Sequence, residues 1–154
     1  MNLELLNIDK IPVGDAGLAW ISDLPNLENL SLNATRVTDA GLSHLRPLKN
    51  LKNLHLTHTA VTGSGLAPVD GLLTLQVLGL DSTAMNDAGL VNVGKLGSLE
   101  RLFLDDTKIT DKGLGSLHGL VRLKELRIIR TGATPKGIAE LKSALRLGRR
   151  AIKA

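Results

Sequence analysis

Cysteine and tyrosine are absent from this 154-residue chain, and Trp20 and Phe103 are its only aromatic residues. Without cysteine there is neither a disulfide framework nor a thiolate metal site, and a reducing compartment is permitted. No apolar run reaches the roughly 18 residues that a membrane-spanning helix needs. Met1-Asn2-Leu3-Glu4 also lacks the basic-then-apolar order of a secretory signal. These absences favour the cytoplasm as the expected location. The formal charge of +4 is not spread over the molecule: residues 140 to 154 carry Lys142, Arg146, Arg149, Arg150 and Lys153 against Glu140, so the remainder is balanced. Electrostatic steering toward an anionic partner would come from that tail.

Leucine carries the apolar load in place of aromatics, and it does so periodically. Units of 24 residues begin at Leu3, Leu27, Leu51, Leu75, Leu99 and Leu123, with no insertion. Each reads approximately L-x-x-L-x-L-x-x-T-x-[VI]-T-D-x-G-L-x-x-L-x-x-L-x-x, most clearly from Leu99 to Leu114. Segments such as Leu54-His55-Leu56 alternate with period two, so their side chains face opposite sides of a short strand. Beyond the T-x-[VI] turn the apolar spacing becomes three, as in Leu114, Leu117 and Leu120, which suits a helix covering the back of the sheet.

Thr38, Thr62, Asn86, Thr110 and Thr134 recur where an N-cap is needed, followed by Asp39, Asp87, Asp111 or Pro135. Aspartate suits the positive end of a helix dipole and proline the first helical position. A glycine follows in every unit, from Gly17 to Gly137. Glycine costs a helix about 1 kcal/mol relative to alanine, so its recurrence implies close approach of the neighbouring coil. The recurring Thr35, Thr59, Thr83, Thr107 and Thr131 are expected to satisfy backbone groups in the turn, with Ile11 breaking the row.

The repeat resembles the leucine-rich-repeat family, and its T-D-x-G-L helix start is similar to the bacterial 24-residue subclass of GALA-type repeats. The resemblance covers about residues 3 to 146. It implies an α/β right-handed solenoid with six parallel strands on the concave face and helices on the convex face. Residues 1–154 are expected to form a single domain, closed by a basic capping helix over about 135–153 that carries Ile138, Leu141, Leu145 and Ile152 on one stripe.

Family members usually bind through the strand face, so a noncatalytic protein-protein interaction role is expected. The partner-binding residues expected there are Arg101, Phe103, Asp105, Asp106, Arg127, Arg130, His55, His58 and Asp81: an exposed aromatic among arginines has the composition of an interface anchor. No cofactor and no metal are expected, because ligands such as His55, His58, Asp81 and Asp105 on an open sheet lack an enclosing shell. Ser31, His55 and Asp81 share strand positions in successive units, but nothing identifies an oxyanion hole. Gly89 to Leu96 nearly matches a phosphate-binding loop but fails at its hydroxyl, and Asn33-Ala34-Thr35 has the form of a glycosylation sequon.

Three other roles remain open. One is the substrate-targeting or regulatory region of a larger enzyme, a kinase or ubiquitin ligase, suggested by a start in phase with the repeat. Another is nucleic-acid or anionic-membrane binding through Arg146, Arg149, Arg150 and Lys153. The third is self-association through an uncapped first coil, near which Trp20 lies.

Overall fold

In the computed structural model, residues 2–67, 72–146 and 151–154 are described. Seven short strands form one parallel sheet in chain order: β1 (Leu5–Asn7), β2 (Asn29–Ser31), β3 (Asn53–His55), β4 (Val77–Gly79), β5 (Arg101–Phe103), β6 (Glu125–Arg127) and β7 (Ile152–Lys153). The register follows the 24-residue period, aligning Leu6, Leu30, Leu54, Leu78, Leu102 and Leu126. These leucines point inward. The residues on either side of each one point to solvent.

The opposite wall is only partly α-helical. Asp15–Asp23, Gly41–Leu45 and Ser64–Leu66 are 3-10 turns, whereas α1 (Asp87–Val93), α2 (Asp111–Leu114) and α3 (Pro135–Leu145) are α-helices. A 3-10 turn, Gly115–Gly119, follows α2. An apolar spacing of three is the period of a 3-10 helix and lets residues such as Leu42, Leu45 and Leu48 stack on one line toward the core. The second unit shows the result: Leu27, Leu30, Leu32, Val37, Leu42, Leu45 and Leu48 are all buried, and the units fuse into one apolar cluster. Truncating such a leucine to alanine costs about 2–5 kcal/mol.

The glycine after the helix start does mark close approach. A Cβ on Gly89 would lie 2.1 Å from the carbonyl oxygen of Thr62 in the preceding coil. The threonine row also behaves as expected: Thr35, Thr59, Thr83, Thr107 and Thr131 each donate a hydroxyl hydrogen to the carbonyl three residues earlier, at 2.6 to 2.8 Å.

The helix-start aspartates have a role beyond the one expected. Asp15, Asp39, Asp87 and Asp111 reach into the next coil, where each accepts both the N–H and the hydroxyl of Thr38, Thr62, Thr110 or Thr134. They lock coil to coil, while Asp15, Asp87 and Asp111 also stand in the first turns of their own helices as expected. The step from the third unit to the fourth supports this, because Gly63 replaces the aspartate and Asn86 replaces the threonine it would have held. Asn86 caps α1, accepting from the N–H groups of Ala88 and Gly89, and Thr110 and Thr134 likewise cap α2 and α3 through Lys112 and Gly137.

The expected capping helix over about 135–153 is corrected. Helix α3 ends at Leu145, and Arg146 adopts a left-handed conformation with φ 52°. Ile152 lies in the seventh strand and not on a helical stripe. The N–H groups of Leu126 and Ile128 donate to Ala151 and Lys153, which satisfies the edge β6 would otherwise present. Ile152 is buried against the last leucines, so the sheet has seven strands and not six.

Candidate partner-binding surface

Four rows of side chains run along the strand face, one residue per coil, at about one 4.8 Å strand spacing per step. The first row carries Leu5, Asn29, Asn53, Val77, Arg101 and Glu125, and the second Asn7, Ser31, His55, Gly79, Phe103 and Arg127. Just past each strand stand Asp9, Asn33, Thr57, Asp81, Asp105 and Ile129. The fourth row is a ridge of non-glycine residues in the left-handed region, among them His58 (φ 57°), Asp106 (φ 56°) and Arg130 (φ 55°). That conformation costs about 1–2 kcal/mol per residue. It is held where the ridge N–H groups of Lys10, Ala34, His58, Ser82 and Asp106 donate to a carbonyl of the next coil, as in His58 to Asp81 at 3.0 Å.

The third row is a hydrogen-bond ladder. Asp9 accepts the N–H of Asn33, Asn33 that of Thr57, Asp81 that of Asp105, and Asp105 that of Ile129, each at 2.8 Å. Asp105, expected to face a partner, is 4% exposed, and its carboxylate is consumed by Ile129 and by an ion pair with Arg127. Asp81 is half-buried in the same ladder. Burial, reinforced by the charge of Asp105, raises its pKa above the usual carboxylate range even though it accepts the Asp105 N–H. Both aspartates support the surface from behind, and sequence reading placed them in front because it counted them as solvent-facing strand positions.

The remaining expected residues divide into two groups. Asp106 and Arg130 are exposed but bound to each other through two hydrogen bonds. The Arg130 bond, partly offset by desolvation, holds the Asp106 carboxyl below its ordinary pKa. His58 stands exposed on the same ridge. Arg127 bridges the groups, with its guanidinium 5.7 Å from the Phe103 ring centroid while it pairs with Asp105. His55, Arg101 and Phe103 instead line a shallow groove of about 440 Å³ that runs toward the start of the stack, over Val77, Asn53, Ser31, Asn29, Asn7 and Leu5. Leu5, 62% exposed, belongs to this site and was missed by sequence reading, although its place two residues before Asn7 gave the signal.

Several alternative chemistries lose their geometry. The Ser31 hydroxyl donates to Asp9 at 2.6 Å, not to His55, so the Ser31, His55 and Asp81 arrangement has no nucleophile–base bond. Among the described residues no three His, Cys, Asp or Glu side chains gather as a metal group. Leu90 and Val93 of the loop-like segment are fully buried in α1. Asn33 of the sequon is committed to Thr57, Asp9 and Ser31. No described helix is long and apolar enough to cross a membrane. In the basic tail, Arg149 and Arg150 lie outside the described residues, while Lys153 pairs with Glu125 at 3.0 Å. On the first coil, Ile11 and Trp20 are about half exposed.

No protein-family model matches the sequence, and no curated protein matches it. Solved structures do. An internalin from Listeria monocytogenes aligns over 97% of this chain and 41% of its own, with a TM-score of 0.68 and 21% identity. A leucine-rich-repeat protein of Leptospira interrogans aligns over 99% of this chain and 37% of its own, with a TM-score of 0.71 and 22% identity. The fold is therefore that of the leucine-rich-repeat solenoids, with a parallel sheet on the concave face. This chain spans about two fifths of the length of either structure.

Proposed function

We propose that this solenoid is a noncatalytic recognition module that binds a protein partner through its concave strand face. The observation that carries the reading is the open groove over β1 to β5, where Phe103 and Arg101 stand beside polar side chains on a rigid sheet. Every strand there is pinned by its neighbours, so the surface is preorganised and little ordering opposes binding. An aromatic and an arginine are the residue types that most often dominate interface energetics. Asp81, Asp105 and the Asp106–Arg130 pair set the shape of this face, while His55, Arg101 and Phe103 make the contacts.

Affinity capture from extracts, quantified for wild type and for Phe103→Ala combined with Arg101→Ala, tests the reading. Partner retention is expected to fall at least about tenfold, the scale of a hot-spot loss. Val91→Ala with Lys112→Ala on the opposite face is expected to leave it unchanged. The reverse pattern would contradict the proposal.

A further inference from the structure

The groove on the strand face is distinguished by its charge. Among the described residues no aspartate or glutamate lines it, and Arg101 at its far end is exposed. Lys52, Lys124, Arg127, Arg130 and Lys153 are each paired with a carboxylate one coil away, whereas Arg101 has none within ion-pair distance among the described residues. At the opposite end Leu5 is 62% exposed.

Between these ends lies an amide floor. Asn53 donates from Nδ2 to Oδ1 of Asn29 at 2.5 Å, which leaves the Asn29 Nδ2 and the Asn53 Oδ1 without a protein partner among the described residues. One free donor beside one free acceptor matches the backbone of an extended peptide, which offers a C=O and an N–H in alternation. From β1 to β5 is four strand spacings, about 19 Å, a span an extended chain covers in about six residues. Arg101 is the one Lys or Arg among the described residues lining the groove, which suits one carboxylate. It is too little to hold a polyphosphate backbone, whose binding depends on neutralising many charges.

We propose that the groove receives an extended segment of a partner protein bearing an acidic side chain for Arg101 and, about six residues away, an apolar side chain for Leu5. The backbone between them lies on Asn29 and Asn53. The inference rests on the protein-recognition reading above and adds the chemistry of the recognised segment.

Fluorescence anisotropy with end-capped, fluorescein-labelled heptapeptide libraries tests it. Leu and Glu occupy the two ends, in both orientations, and Ser, Thr, Asn and Gly are mixed between. Wild type is expected to bind these about five-fold more tightly than libraries with Lys in place of Glu, the scale of one exposed charge pair, and more tightly than libraries with Ser in place of Leu. Arg101→Glu is expected to reverse that preference, and Leu5→Ser to remove the advantage of Leu over Ser, with circular dichroism showing that both variants fold. Absence of binding, absence of the Glu preference in wild type, or its persistence in Arg101→Glu would overturn the proposal. If a captured full-length partner still depends on Phe103 while the heptapeptides do not discriminate, the segment chemistry fails and the concave-face reading stands.

Discussion

The carboxylates that looked most chemical in the sequence are mostly structural, and the coil-to-coil aspartates show why. Asp39 accepts from the N–H and hydroxyl of Thr62 and from the N–H groups of Gly63 and Gly65. Asp39→Ala strands those donors and is expected to cost about 2 kcal/mol, read from urea denaturation. Burial opposes ionisation of Asp39, but these hydrogen bonds outweigh it and leave the folded pKa below the ordinary 3.8. Its contribution is therefore present above about pH 3.8 and is lost as pH falls through the lower folded value. Asp9, Asp106 and Asp111 are lowered in the same direction, so the urea midpoint is expected to drop in acid. Asp81 has the opposite sign. Its raised folded pKa means that its ionised form weakens the fold at neutral pH. Asp81→Asn keeps the acceptor for the Asp105 N–H, as Asn33 does in its own coil. It is expected to raise the melting temperature by a few degrees at pH 7, with the gain disappearing below about pH 3.8. Little of this was legible beforehand, because the ladder joins residues 24 positions apart and needs the exact turn geometry. The paired departure of Gly63 and Asn86 was the one available clue to the Asp–Thr lock.

Among the elements, the strands and glycines were legible for one reason: every coil repeats the same steric demand, so the pattern is written six times. Gly89 illustrates the demand, and Gly115 provides its contrast, since a Cβ at Gly115 would meet nothing within 4 Å. Gly89→Ala forces backbone apart and is expected to destabilise by about 3 kcal/mol or more, at the upper end of ordinary substitutions. Gly115→Ala, at helical φ −56° and ψ −31°, is expected to be neutral or stabilising by about 0.5 kcal/mol. Thermal melts of the two variants check both. The last element was misread because Ile138, Leu141 and Leu145 do share a helix face and Ile152 happens to continue their spacing. A two-residue strand carries no periodicity of its own, and only the open edge of β6 explains why Ile152–Lys153 pairs there.

At the scale of the whole molecule, a stack of identical coils produces two surfaces of unequal meaning. The convex wall varies between 3-10 and α geometry from coil to coil, whereas the sheet keeps one register from β1 to β6. The sheet side presents side chains from successive coils at a constant spacing, which supports the proposed recognition of an extended partner. The sequence led to the expectation of contacts on this face, around its charged second half. The ion pairs there are satisfied internally, and the groove runs instead toward Leu5. The claim is tested most directly by a photo-crosslinking amino acid placed at Asn53 on the groove floor and, separately, at exposed Val91 on the opposite wall. Irradiation of each variant with the captured partner is expected to give a crosslinked species from position 53 and none from position 91. Crosslinking from position 91 alone would contradict the account.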